Sequence, residues 1–283
     1  MVATDKLFAG SIPEIYDRLM VPLIFEPYAR DLSERIARVE SRGLLETAAG
    51  TGVLTRAIVS RLPLQTRIVA TDLNQAMLDH AAAKQPERDG LTWQSADALA
   101  LPFEDRRFDV VACQFGAMFF PDKIKGYSEA RRVLKTGGHF FFSVWDRISQ
   151  NEFADVVTEA LAGLFPQDPP LFMARTPHGY HDVERIREEL AAAGFADIVV
   201  ESIEHRSRAV SSRDAAIAYC QGTPLRSEIT ARDASLLEDA TQAAAAALAR
   251  RFGNGPIDGR IRAHVITATG KLDSQSASGL ALE

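Results

Sequence analysis

Nine residues, Leu44-Leu45-Glu46-Thr47-Ala48-Ala49-Gly50-Thr51-Gly52, constrain the fold of this chain more than any other stretch. Apolar positions run into an acid and then into a cluster of small residues, after which Val53 to Leu62 has helical composition. The order predicts a buried strand, a tight turn and a helix. Gly50 and Gly52 let the backbone turn sharply and let a ligand reach the main chain without meeting a Cβ, beside the free N–H groups of a helix start. A second buried strand, Arg67 to Asp72, ends in a carboxylate at about the spacing expected between a nucleotide-facing turn and an acid that accepts hydrogen bonds from ribose hydroxyls.

The β-α alternation continues along the chain. Asn74 caps a helix to about Lys84, Leu91 to Asp97 and Phe108 to Phe115 are strands, Asp122 to Leu134 is a helix, and Gly138 to Asp146 is an aromatic-rich strand. Lys135-Thr136-Gly137-Gly138 is expected to close the preceding helix as a glycine C-cap. Strands and helices at this spacing imply a parallel sheet with right-handed crossovers. Ahead of it, residues 11–40 read as two helices separated near Pro22 and Pro27. Behind it come a helix from Glu152 to Phe165, a loop with Pro166, Pro169, Pro170 and Pro177, a helix from Asp182 to Ala193 stopped by Gly194, and strands at Asp197 to Arg206 and Arg260 to Thr269. About fifty residues of helical character separate those strands, among them the alanine run Ala243 to Ala247, and the final dozen residues, rich in Ser, Gly and Ala, are expected to fray.

Composition narrows the function. The 283 residues can bury a sizeable core, and 32 Lys plus Arg against 38 Asp plus Glu give a net charge of −6, which argues against a general nucleic-acid surface. Two cysteines, Cys113 and Cys220, supply neither a disulfide framework nor a zinc site, and no metal is expected. The N-terminus shows no basic stretch leading into an apolar core, and no run is long enough to span a bilayer, so a cytoplasmic location without membrane insertion is expected.

Parallel strands deliver their C-terminal ends to one edge of the sheet, so Glu46, Gly50, Asp72 and Asp97 converge at one crevice. Carboxylates with no basic residue in the turn disfavour a phosphate ligand and favour one carrying hydroxyls, an amine and positive charge. At LLETAAGTG, IVATDLNQAML, SADALALPFEDRRFDVV, CQFGAMFFPD and EARRVLKTGGHFFFSVW, in that order and spacing, the chain resembles the class I S-adenosylmethionine-dependent methyltransferases, including those of ubiquinone and menaquinone biosynthesis. The resemblance covers about residues 40–148. It implies an α/β, Rossmann-like seven-stranded sheet of order 3-2-1-4-5-7-6, last strand antiparallel and formed by IRAHVITATGK, with helices on both faces. Residues 1–40 are then an N-terminal helical lid, 41–271 the methyltransferase domain with helical insertions at about 147–181 and 207–259, and 272–283 a flexible tail.

By resemblance, the Ala49-Gly50-Thr51-Gly52 turn passes beneath the methionyl part of S-adenosylmethionine, and Asp72 takes both ribose hydroxyls. Leu73 and Met77 pack against adenine, Asp97 meets its amino group with the Ala98 backbone alongside, and Gln114 and Phe115 adjoin the methionyl group. The product is S-adenosylhomocysteine. Asp72 also suits a helix N-cap or a surface ion pair, and Asp97 a cap. One residue departs from the family pattern: such turns begin with glycine, and here stands Ala48. The acceptor is expected to be a small molecule, apolar or aromatic, methylated on oxygen or carbon, with Tyr16, Phe25, Tyr28, Met118, Phe119, Tyr180 and Thr223 as candidate pocket residues. Core packing explains several of these equally well. His178 and His181 are the candidate catalytic bases, although no motif places them; His80 and His139 suit exposure or packing better. A monomer or homodimer is expected. Two other readings stay open: an NAD-dependent oxidoreductase, against which Thr55 stands where the dinucleotide motif wants a small residue, and a noncatalytic S-adenosylmethionine-binding protein.

Overall fold

The computed structural model describes residues 12–270. Its centre is one seven-stranded sheet: β1 (Gly43–Glu46), β2 (Arg67–Asp72), β3 (Leu91–Ser95), β4 (Phe108–Gln114), β5 (Leu134–Trp145), β6 (Phe195–Ala209) and β7 (Ile257–Gly270), in the order β3-β2-β1-β4-β5-β7-β6. β1 to β5 pair in parallel, and β7 runs antiparallel between β5 and β6. The short β1 is buried at Leu44, Leu45 and Glu46 because it has a strand on each side. The order reverses at β1, so the crevice between the β1 and β4 connections opens at the switch point where such sheets bind ligands.

Helices α3 (Val53–Val59), α4 (Gln75–Lys84) and α5 (Lys123–Val133) follow β1, β2 and β4 as the alternation requires. The helix after β2 starts where expected, with Asn74 Oδ1 accepting from the N–H groups of Ala76 and Met77. Beyond β5 lie α6 (Glu152–Leu164), the short α7 (Phe172–Arg175) inside the proline-rich loop, and α8 (Val183–Ala192), capped by Asp182. Between β6 and β7 come α9 (Ser212–Gln221), α10 (Leu225–Arg232) and α11 (Leu237–Phe252), which contains the alanine run.

Three local expectations need correction. The segment before the sheet is not two helices broken at prolines but a continuous helical run: α1 (Ile12–Ile15), a π-helical stretch from Tyr16 to Phe25, and α2 (Glu26–Ile36). Pro22 sits inside the π-helical stretch and Pro27 just past its junction with α2. The wider winding is closed by the Glu26 N–H donating to the Val21 carbonyl, five residues back. Second, Gly137 is not a helix cap. α5 ends at Val133, β5 begins at Leu134, and the glycine at φ 76° forms an irregularity in which the pairing jumps from Phe108 with Leu134 to Val110 with His139. Third, β6 and β7 are longer than expected. β5 stops at Trp145, opposite Ala263, whereas β6 and β7 pair onward from Glu204 with Arg262 to Ala209 with Ile257 as a two-stranded ribbon. That ribbon is polar on its exposed positions, so hydrophobic patterning does not reveal it. Ser11 and Lys271, at the ends of two expected elements, and the expected tail 272–283 lie outside the described residues.

The helical run 12–36 crosses the molecule. At one end Asp17 pairs with Arg56 of α3 at 3.3 Å, His80 of α4 at 3.4 Å and Lys84. At the other, the fully buried Tyr28 donates its hydroxyl to the Ile203 carbonyl of the edge strand β6 at 3.0 Å. Tyr28→Phe leaves that carbonyl unpaired with shape unchanged, and the expected cost is about 1 kcal/mol in urea unfolding; an unaltered midpoint would show that the bond does not tie the run to the sheet.

Candidate functional site

The crevice begins at the turn after β1. Ala48, Gly50 and Gly52 adopt left-handed φ values of 53°, 55° and 80°, separated by Ala49 and Thr51. The turn is held from both sides: the Thr47 N–H donates to the Ala112 carbonyl at 2.8 Å and the Ala49 N–H to the Thr71 carbonyl at 2.9 Å. A Cβ on Gly50 would meet nothing within 4 Å, so its backbone faces open space, whereas one on Gly52 would press on Ala81 at 3.0 Å and Trp93 at 3.1 Å. Gly52 therefore serves the turn itself and is not on the crevice wall.

Asp72, at the end of β2, fixes the turn. Its Oδ2 accepts from the Gly50 N–H and its Oδ1 from the Asn74 N–H, each at 2.8 Å. Burial raises this carboxyl above its ordinary value, against the backbone donors of Asn74, Gly50 and Leu73 that favour the anion. Each oxygen keeps a lone pair for a ligand. Leu73, Met77, Asp97 and Ala98 continue the wall, and Asp97 Oδ1 also accepts from the Leu99 N–H at 2.9 Å, the cap role open to it from sequence.

Glu46 closes the floor, almost fully buried, with its Oε2 accepting from the Thr55 hydroxyl at 2.6 Å. Desolvation pushes its carboxyl up to about 8, although the Thr55 bond and the Arg56 charge act the other way. In sequence Thr55 only weighs against a dinucleotide motif; in the fold its hydroxyl holds the acid of the opening strand.

At the end of β4, Gln114 Nε2 donates to the Phe25 carbonyl at 3.0 Å, which ties the N-terminal run to the crevice. Only the amide nitrogen can face a carbonyl, so Gln114 Oε1 is left buried without a partner. Phe115, at φ 51°, stacks on Trp145 with ring centroids 3.8 Å apart and planes at 8°. The crevice measures about 460 Å³ and adjoins a smaller chamber of about 50 Å³. Tyr16, Phe25, Phe115 and Phe119 line both. Thr223, Trp145, Phe172 and Met173 also line the chamber, beside Met20, Ile24, Pro177 and Pro224; Trp145, Phe172 and Met173 were missed from sequence, where the only hint was an aromatic strand ending in Trp145.

The structure does not bring every candidate together. Met118 is buried beneath the loop, where its carbonyl accepts from Lys123 Nζ at 3.0 Å. Tyr28 packs edge-on against Phe115 and Trp145 behind the chamber. The Tyr180 hydroxyl bonds Tyr127 at 3.0 Å and Glu189, so it is a buried packing residue. His178 is buried with Nδ1 on the Asp146 carbonyl at 2.8 Å, and desolvation pushes it down to about 4. His181 lines a separate polar cavity with Asp146 and His264. Neither histidine is on the crevice or the chamber.

A sheet of this order with a ligand crevice at the β1 and β4 connections defines the class I methyltransferase architecture. Residues 45–142 match the methyltransferase domain family, and the chain is an S-adenosylmethionine-dependent methyltransferase. It is 26% identical over 205 residues to a demethylmenaquinone methyltransferase of Deinococcus radiodurans, covering 68% of this chain and 85% of that one. It is 29% identical over 167 residues to a ubiquinone/menaquinone biosynthesis C-methyltransferase of Idiomarina loihiensis, covering 55% and 66%. In fold it resembles phosphoethanolamine N-methyltransferase 2 of Haemonchus contortus, solved with S-adenosylhomocysteine, at a TM-score of 0.59, 15% identity, and coverage of 95% and 61%. The domain match leaves no place for the NAD-dependent reading. Among the described residues, no helix is long and apolar enough to cross a membrane.

Because the folded state holds the Glu46 proton more tightly than the unfolded chain does, this group's contribution to stability is present below pH 4.5 and is lost as pH rises towards 8. Glu46→Gln is therefore expected to gain on the wild type in melting temperature as pH increases from 5 to 9. A difference that does not change with pH would rule out burial of the protonated acid.

Proposed function

We propose that the crevice seats S-adenosylmethionine and that an apolar or aromatic acceptor, methylated on carbon or on an already ionised oxygen, meets the methyl where the crevice adjoins the aromatic chamber, which at about 50 Å³ takes only part of it. The chamber carries this reading: it is walled by aromatic, methionine and proline side chains, and it shares Tyr16, Phe25, Phe115 and Phe119 with the crevice. The residues present suit such a cofactor. Asp72 offers lone pairs for the ribose hydroxyls, Leu73 and Met77 an apolar edge for adenine, and Asp97 with Ala98 a place for its amino group. The open backbone at Gly50, with Ala49 and Thr51, would lie under the methionyl part, beside Gln114 and Phe115.

Bound there, S-adenosylmethionine supplies a methyl group on a sulfonium. The chain's own part is alignment and exclusion of water, which together are worth up to roughly 7–11 kcal/mol of barrier. An apolar chamber costs little, since the positive charge disperses as the methyl moves. Among the residues that line the chamber, the only titratable group is the Tyr16 hydroxyl, and burial with the nearby Asp72 and Asp17 charges raises it far above neutrality. No lining side chain there takes a proton, so an acceptor oxygen would have to arrive already ionised, and a ring carbon would pass the proton that it loses on methylation to water outside the chamber. The acceptor named in the first relative, demethylmenaquinone, is the class to try first.

The helical run 12–36 acts in this reading as the lid. Burial alone would raise the Asp17 carboxyl, yet Lys84, Thr51, Arg56 and His80 together hold it below its ordinary range, so the latch is charged at neutral pH. Asp17→Asn is expected to speed release of S-adenosylhomocysteine several-fold in stopped-flow measurements; an unchanged off-rate would remove the lid from the account. For the cofactor site, calorimetry should show stoichiometric binding of S-adenosylhomocysteine, weakened about 100-fold or more in Asp72→Ala through loss of charged hydrogen bonds. Wild-type affinity in that variant would sink the assignment. Tight binding with no product from any phenol, quinol, amine or carboxylate tested would favour a noncatalytic role.

A further inference from the structure

At the crevice wall an alanine and a glycine each occupy the backbone that suits the other. Ala48 is held at φ 53°, in the left-handed region where a Cβ is crowded and glycine is preferred. Gly116, at φ −99° and ψ −36°, is in a conformation that any residue adopts. Space alone explains the glycine at 116: a Cβ there would lie 2.4 Å from the Ala48 Cβ and 2.8 Å from Cys113 Sγ. The single methyl that fits between the two loops is thus carried by the residue whose backbone accepts it less readily. Both residues line the crevice.

The loops cannot easily relax to relieve this. Thr47 and Ala49, on either side of Ala48, donate their N–H groups to the carbonyls of Ala112 and Thr71. Across the gap, the Phe115 N–H donates to the Ser143 carbonyl at 3.1 Å, and the Phe119 N–H to the Gly116 carbonyl at 2.9 Å. Phe115 is itself at φ 51°, so two of the three non-glycine residues at positive φ among the described residues flank this contact. Strain of this kind persists where the surroundings over-determine it, and it gathers at functional sites.

We propose that Ala48 is a positioning residue, its methyl keyed over Gly116 to fix the gap between the turn of the cofactor crevice and the loop that carries the aromatic chamber. This rests on the crevice being the S-adenosylmethionine site. One loop holds the methionyl end and the other presents Phe115 and Phe119 to the acceptor, so their spacing sets how deep the sulfur seats relative to the chamber. Glycine at 48 would keep the turn without strain and leave a methyl-sized gap between the loops. A methyl on residue 116 would fill the gap from the far side, but only by pressing on Cys113.

The test compares wild type and Ala48→Gly with two probes, S-adenosylhomocysteine and 5′-methylthioadenosine, which lacks the amino-acid part. Glycine adopts the turn freely, so the variant folds, and its melting temperature is expected at or above that of the wild type. Its affinity for S-adenosylhomocysteine should fall about tenfold while its affinity for 5′-methylthioadenosine stays within about twofold. A melting temperature well below wild type would make the methyl mere packing and overturn the proposal. Equal affinities for S-adenosylhomocysteine, or equal losses for both probes, would overturn it too while leaving the cofactor assignment intact. If the wild type itself binds neither probe, it is the cofactor assignment that fails.

Discussion

The hydrogen bond from the Gly50 N–H to the Asp72 carboxylate is the contact on which the site depends. It joins the turn after β1 to the end of β2 and brings a flexible backbone and a fixed anion to one point. A carboxylate that accepts several backbone N–H bonds has its rotamer set before any ligand arrives, and what lone-pair capacity remains faces the crevice. Burial works against the anion here, which makes those backbone donors necessary.

The aromatic chamber rests on a second arrangement. Phe115 leaves β4 in a left-handed conformation and lies flat on Trp145 from β5, while Tyr28 of the N-terminal run meets both rings edge-on and Phe25 meets Phe115 edge-on and Trp145 at a tilt. Offset and edge-to-face rings each add about 0.5–1.5 kcal/mol beyond the area they bury. The N-terminal run is therefore held by the aromatic groups that form the chamber, by Gln114 through the Phe25 carbonyl, and by the Asp17 cluster near the turn. Movement of the run would affect crevice and chamber together.

Much of the crevice was legible in the sequence because it is built from local signals. A glycine turn after a buried strand, an acid at the end of the next, and Asn74 at a cap all act within a few residues of themselves, and parallel strands bring their ends together. The chamber was less legible. Tyr28, Met118 and Tyr180 have the composition of pocket residues, yet Tyr28 and Tyr180 spend their hydroxyls on Ile203 and on Tyr127 and Glu189, while Met118 turns into the core. Trp145, at the end of β5, and the neighbours Phe172 and Met173, in α7, reach the chamber from two segments far apart in the chain, and no spacing rule connects them. His178 and His181 were suggested by residue type and by their loop between the insertion and the following helix, and the fold sets His178 on the Asp146 carbonyl and His181 in the separate polar cavity.

The sequence by itself determined the alternation of strands and helices, the turn at Ala48 to Gly52 and the acids that face it, because period, turn chemistry and caps are written in neighbouring residues. Only the tertiary structure decided that the prolines of the N-terminal run sit inside a wide helix, that Thr55 holds Glu46, and that Ala48 is strained against Gly116. Each of these depends on atoms brought together from distant positions or on a backbone angle, and neither can be read from residue order. Ala48 shows the division most clearly: the sequence marks it as the unexpected residue of the turn, and the fold supplies the glycine on the opposite loop that makes room for it.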